Sequence, residues 1–221
     1  LMFATRNGTV KKTVLSAYGN VRSTGINAIN IDEGDALIDV QLCDANSDIV
    51  LATQDGMSIR FHQGDVREMG RATAGVKGIE LDAEDAVIGM VIVRREATLL
   101  VVSEKGYGKR SELVEYRVQK RGGKGIITLK KTEKTGRMVA LKEVIPDDEL
   151  MMITRHGVVI RVPVEGISVI GRNTQGVRVM NLDAGDNLVD VARVVKEDDN
   201  GTEEPTGDEA ASPADETGGE A

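Results

Sequence analysis

An all-β, propeller-like array of about four four-stranded blades is the fold that three observations predict. Four glycine-centred turns, Asn7-Gly8, Asp55-Gly56, Lys105-Gly106 and His156-Gly157, recur at spacings of 48, 50 and 51 residues. A second set of glycines, Gly25, Gly75, Gly125 and Gly176, recurs in step at 50, 50 and 51 residues. No segment of ten residues or more carries the apolar period of a helix. Repeats held in register by independent anchors point to one structural unit used several times.

Each unit reads the same way from its start. An apolar run ("MFAT", "IVLAT", "TLLVV", "LMMIT") leads into the first glycine turn, and a second run follows it. Two such runs around a glycine signal a β-hairpin, because the turn needs positive φ. A base stands four residues past each turn glycine: Lys12, Arg60, Arg110 and Arg161. Next comes the second anchor, "RSTGINAINI", "RATAGVKGIEL", "RGGKGIITL" and "RNTQGVRVMNL", with an arginine three or four positions before its glycine: Arg22, Arg71, Arg121 and Arg172. A third anchor, "DEGD", "DAED" or "DAGD", opens the last strand of units one, two and four, and unit three has "KTEKTGR" instead. Four strands in about 50 residues describe a propeller blade. The blades are expected over roughly 1–48, 49–97, 98–149 and 150–196.

Composition agrees with many short strands around an aliphatic core. Apolar residues make up 40% of the 221 and aromatics only 2%, with no tryptophan, so Val, Ile, Leu, Met and Ala must fill the interior. The net charge of −8 misleads. Residues 197–221 hold ten acids and no base, which leaves 28 bases against 26 acids in residues 1–196. That last stretch lacks apolar content and reads as a disordered acidic tail. The body is near neutral, with local basic clusters. Cys43, the single cysteine, excludes an internal disulfide framework, fits a reducing compartment and reads as a small buried hydrophobe in an apolar run. No apolar run approaches 18 residues, so no membrane partner is expected. The chain opens inside a strand-like segment, "LMFATRNGTVKKTVL", which suggests sequence upstream.

The densest basic stretch is residues 105–134, with ten bases against three acids. At its centre lies "QKRGGKG": Gln119, Lys120, Arg121, Gly122, Gly123, Lys124 and Gly125. A turn needs one or two glycines but not three cations. Glycines let backbone N–H groups approach a phosphate closely, and Lys and Arg neutralise it. Matching cations in successive units would form a belt around the rim, suited to a polyanion that runs along it. Lys12, Arg22, Arg60, Arg71, Lys109, Arg110, Arg161 and Arg172 join residues 119–125 as candidate contacts. Lys11, Arg67 and Lys77, taken singly, read equally well as solvated surface. Phosphate contacts position a duplex and carry little sequence information.

"GYGKRSELVEYRVQKRGGKGII" resembles the C-terminal domain of the DNA gyrase A protein, which carries a basic box of the form Gln-(Arg/Lys)-Arg-Gly-Gly-Lys-Gly. "ISVIGRNTQGVRVMNLDAGDNLVDVARV" resembles a last blade of that family and "DVREMGRATAGVKGIEL" an earlier one, so the likeness covers residues 1 to about 195. The resemblance implies a β-pinwheel whose basic outer rim wraps double-stranded DNA with a positive crossing. It further implies a bacterial, cytoplasmic, chromosome-associated protein working with the rest of gyrase A and with gyrase B in an A2B2 complex. In that family the box lies in the first blade. Here it lies in the third of four repeats, which implies blades upstream of Leu1. The implied holoenzyme uses ATP and Mg on other parts, and no cofactor is expected in this segment.

No catalytic site is expected. Tyr18, Tyr107 and Tyr116 follow the blade pattern, and the family's DNA-cleaving tyrosine has no counterpart here. "GYGKR" lacks the spacing of a phosphate loop. His62 and His156 stand in different units without the clustered ligands of a metal site. Acids such as Asp32, Glu33 and Asp35 fit a backbone role at strand-entry turns. Two other readings share the repeat. The A chain of topoisomerase IV has the same blade type but commonly a degraded box, and a protein-docking propeller would expose the aromatic residues that this chain lacks. Ten uncompensated acids beside a basic belt raise the further expectation that the tail competes with DNA.

Overall fold

The computed structural model describes residues 1–94 and 96–194. The proposed tail, residues 197–221, lies outside the described residues. Fifteen strands and four short 3-10 turns make up the described chain. In unit one, β1 (Met2–Thr5) and β2 (Thr9–Lys12) form the hairpin and β3 (Leu37–Gln41) follows. Unit two has β4 (Asp48–Thr53), β5 (Met57–His62), the two-residue β6 (Val76–Lys77) and β7 (Val87–Val93). Unit three repeats this with β8 (Thr98–Ser103), β9 (Tyr107–Glu112), β10 (Ile126–Ile127) and β11 (Met138–Val144). Unit four has β12 (Glu149–Thr154), β13 (Val159–Pro163), β14 (Val177–Arg178) and β15 (Leu188–Val194). The 3-10 turns, Leu15–Tyr18, Gln63–Asp65, Leu113–Glu115 and Val164–Gly166, each follow the second strand of a unit.

The sheets are antiparallel blades, but they are not drawn from single repeats. Their strand orders are β3-β1-β2-β6, β10-β5-β4-β7, β11-β8-β9-β14 and β13-β12-β15. Every short strand therefore leaves its own unit and completes the blade before it: Val76 lies opposite Val10, Ile126 opposite Ser58, and Val177 opposite Gly108. The four blades expected from the repeats are present, and each of the first three is completed by a short strand from the next repeat. Periodicity counts strands per repeat, whereas pairing depends on which edge lies within reach. The fourth blade has three strands among the described residues, β13-β12-β15.

Burial explains why the first strand of each hairpin reads as an apolar run rather than an alternating one. In β4, Ile49 and Leu51 pack towards β1 of unit one, while Val50 and Ala52 pack towards β8 of unit three. In β8, Leu99 and Val101 face back to unit two, and Leu100 and Val102 face unit four. A strand stacked on both sides needs both faces apolar. In β12 the two faces differ. Leu150 and Met152 are buried against unit three, whereas Met151 and Ile153 are exposed. The strands β3, β7, β11 and β15 neighbour one another across blade boundaries. They therefore line the inner side and leave the donated strands on the outer rim. Cys43 follows β3, half-buried against the first core cluster, and burial raises its thiol pKa.

The third anchor acts as a turn clamp. Asp35, Asp85 and Asp186 each accept a hydrogen bond from the hairpin turn of their own unit, at Asn7 N (2.8 Å), Asp55 N (3.0 Å) and His156 N (3.2 Å). In unit three the direction is reversed: the turn supplies the carboxylate, and Glu104 Oε1 accepts from Arg137 N at 2.9 Å.

Candidate nucleic-acid interface

The 119–125 loop lies across the outer edge of unit two, immediately before β10 joins β5. Gln119 N donates to Arg60 O at 2.9 Å, Gly122 N to Gly78 O at 2.6 Å, and Glu80 N to Gly123 O at 2.9 Å. Arg121 is half-buried, with Nε on Asp65 O at 2.9 Å and Nη1 on Lys77 O at 2.8 Å. Gly125 has φ +79°, and a Cβ there would stand 2.1 Å from Ser58 O, so only glycine lets the strand approach. Gly122 has φ +82° and sits over the stem of Lys77. Arginine and glycines thus strap one unit to the one before it.

The lysines of the loop are differently placed. Lys120 is exposed and, among the described residues, has no hydrogen-bond or ion-pair partner. Lys124 is exposed and pairs with Asp82 at 2.9 Å, a contact that holds its ammonium pKa above the ordinary lysine value. Such an exposed pair is worth little and exchanges readily for another anion. Lys77, also exposed, flanks the loop from the preceding unit. Its place was readable in the sequence, two residues past Gly75 in the second anchor, yet taken singly it reads as solvated surface.

The second-anchor arginines repeat one geometry. Arg71 Nη1 donates to Asn27 O at 3.2 Å, Arg121 to Lys77 O at 2.8 Å, and Arg172 to Ile127 O at 2.7 Å. Each acceptor lies two residues past the anchor glycine of the preceding unit, so the loops are chained along the rim. Arg22 is exposed, and its side chain has no partner among the described residues.

The bases four past the turn glycine, expected to face phosphate, each have protein partners in the structure. Lys12 Nζ bonds Gln63 O at 3.1 Å and Gln63 Oε1 at 2.7 Å. Arg60 pairs with Asp48 and donates to Leu113 O (2.9 Å) and Tyr116 O (3.2 Å). Arg110 is buried, with Nε on Ile167 O at 2.8 Å. All three reach carbonyl oxygens at the 3-10 turn of the next unit, and so tie neighbouring blades together. Arg161 has no following unit among the described residues; it is exposed and pairs with Glu149 of its own hairpin.

Lys109, another expected phosphate contact, is the most enclosed of these cations. It is fully buried, and its Nζ bonds Gly171 O (2.6 Å), Arg172 O and Thr174 Oγ1 (3.1 Å). Desolvation lowers its pKa to about 8, against an opposing pull from Glu115 and with a smaller push from Arg172. Lys11 holds the same place in unit one, buried, on Ala28 O at 2.6 Å and over the Phe3 ring, and burial lowers its pKa too. In units two and four this position is Ile59 and Ile160. A charge one residue along a strand from a rim position points to the other face, and sequence spacing does not reveal that the face is buried.

Four successive stretches, residues 1–44, 47–94, 97–144 and 148–194, match the family described as "DNA gyrase C-terminal domain, beta-propeller". The chain belongs to that family. It is 44% identical over 197 residues to the DNA gyrase A protein of Haloquadratum walsbyi, covering 88% of this chain and 23% of that protein. The chain therefore spans about a quarter of such relatives. It superposes on a solved DNA gyrase A C-terminal domain with a TM-score of 0.79 and 26% identity, covering 88% of this chain and 65% of the other. A solved topoisomerase IV C-terminal domain gives 0.83 at 26% identity, covering 87% and 61%. The shared blade does not separate these two relatives.

Proposed function

We infer that this domain binds double-stranded DNA along its outer rim and wraps it, supporting ATP-dependent negative supercoiling by a gyrase A2B2 holoenzyme in the bacterial cytoplasm. The observation that carries this reading is the division of labour in the 119–125 loop. Arg121 and the glycines fix the loop to the preceding unit, while Lys77, Lys120 and Lys124 remain at the surface on one short stretch of rim. Cations on a rigid, chained set of loops suit successive phosphates better than one small anion. Curving a duplex around such a rim costs roughly 1–6 kcal/mol per 20–30 bp, which several phosphate contacts can offset. ATP, Mg and the cleavage chemistry belong to other parts of the holoenzyme, and the role of this segment is positional. Its intact box favours gyrase over topoisomerase IV.

The test uses nicked circular DNA incubated with the complete gyrase A protein, sealed with ligase and stripped of protein. A shift to positive linking number that grows with protein, and that is lost in Lys120→Gln/Lys124→Gln, is expected. Tight binding without any shift would remove wrapping from the proposal, and no binding at low salt would favour the protein-docking propeller.

A further inference from the structure

Unit three carries "KTEKTGR" (131–137) where the other units have the acidic anchor, and the substitution has a structural result. The loop brings Lys134 Nζ to 5.1 Å from the centroid of the Tyr107 ring. From unit four, β14 brings Arg178 to the same ring, with Cζ 4.9 Å from the centroid and Nη2 donating to the Tyr107 hydroxyl at 2.7 Å. Lys105, from the hairpin turn, donates to Glu133 O. An open cavity of about 380 Å³ is lined by Lys105, Tyr107, Lys134, Arg178, Asp186 and Asn187.

Among the described residues, no carboxylate lies within ion-pair distance of these three cations. Asp186 is buried, and its carboxylate accepts the N–H groups of Asn187 (2.8 Å) and His156 (3.2 Å). Glu104 is held by Arg137 N at 2.9 Å. Attraction to the ring draws two cations to one place, where their mutual repulsion is relieved by an anion. Tyr107 is only 6% exposed, so it offers no face on which a base could stack, and the ligand that fits is a phosphate group. The arrangement is local to this boundary. Thr9, Met57 and Val158 stand at the Tyr107 position, and Asn27, Lys77 and Ile127 at that of Arg178. Lys130 N donates to Thr174 O at 2.9 Å, which ties the loop carrying Lys134 to the 172–176 loop on the rim.

We propose that Lys105, Lys134 and Arg178 form a second phosphate-binding site, one blade beyond the 119–125 loop, that takes a backbone phosphate of the DNA on the rim. This rests on the DNA-binding reading above.

The test is the salt dependence of duplex binding by the complete gyrase A protein. In Lys105→Gln/Lys134→Gln/Arg178→Gln the slope of log K against log salt should weaken by about 0.9, the value for one lost phosphate. The charge-preserving Lys134→Arg should keep the wild-type slope, and if it weakens the slope as far as Lys134→Gln does, the contact is not one of charge and the proposal fails. A triple variant with the wild-type slope, beside a weakened slope in Lys120→Gln/Lys124→Gln, overturns this site and leaves the DNA-binding reading standing. Wild-type protein that binds no duplex overturns that reading itself. Calorimetry with inorganic phosphate separates the sources. Phosphate binding abolished in the triple variant, with an unchanged DNA slope, would assign the site to a free anion and overturn the proposal as stated.

Discussion

Arg121 Nη1 donates to Lys77 O at 2.8 Å across a blade boundary, and Arg71 and Arg172 make the same bond to Asn27 O and Ile127 O. The arginine of the basic loop is therefore a member of a structural series, and its neighbouring lysines are not. Arg121→Gln is expected to cost about 1–2 kcal/mol of stability, for two carbonyl bonds from a charged donor that is partly screened. Lys120→Gln should leave the unfolding midpoint unchanged and weaken the salt slope of DNA binding by about 0.9. Parallel thermal melts and salt titrations separate the two roles, and a Lys120 variant that lowers stability as much as the Arg121 variant would contradict them.

Gly125 and Gly25 hold the same left-handed backbone at φ +79° and +80°, but a Cβ at Gly125 meets Ser58 O at 2.1 Å and one at Gly25 meets nothing within 4 Å. Gly25→Ala should cost about 1 kcal/mol, the backbone term alone. Gly125→Ala should cost more, about 3 kcal/mol or above, because strand β10 must also move off β5. Chemical denaturation of both variants checks the ranking.

Arg60 and Arg161 occupy one repeat position with opposite settings. Arg60→Met removes an ion pair with Asp48 and two carbonyl bonds to unit three, and a loss of about 2–4 kcal/mol is expected. Arg161 is exposed and reaches only Glu149 of its own hairpin, so Arg161→Met should change stability by no more than about 0.5 kcal/mol. Equal losses at the two positions would mean that the inter-blade carbonyl bonds contribute nothing.

Lys109 gives stability a pH dependence in the alkaline range. Its pKa in the folded protein is about 8, below the ordinary lysine value of 10.5. Between these two values the unfolded chain holds a proton that the folded chain has released, so unfolding takes up a proton and stability rises with pH. Below about pH 8 both states are protonated and the burial cost is fully present. Lys109→Ile, the residue type found at positions 59 and 160, should lack the rise from about pH 8 to 10.5. Denaturant titrations across that range in both proteins read the difference in slope.

Much of the fold was legible because it is local. Glycines at turns, apolar runs beside them and acids at strand entry act over a few residues, and their recurrence every 50 or so positions identified the blade. The composition of the basic loop was legible for the same reason. What spacing did not reveal was the partner of each element. Ile126 pairs with Ser58 of the preceding unit rather than within its own, and Lys109 lies one residue before Arg110 yet ends on carbonyls of the next unit.

The sequence by itself determined the repeat, the all-β class and the existence of a glycine-rich basic loop, since each follows from residue type and period. The tertiary structure decided which cations are exposed. Lys11, Lys12, Arg60, Lys109 and Arg110 are spent on backbone oxygens of neighbouring segments, while Lys77, Lys120 and Lys124 remain at the surface. The reason is physical. A long basic side chain reaches several ångströms from its own strand, and whether it meets water or a backbone carbonyl depends on the neighbouring blade.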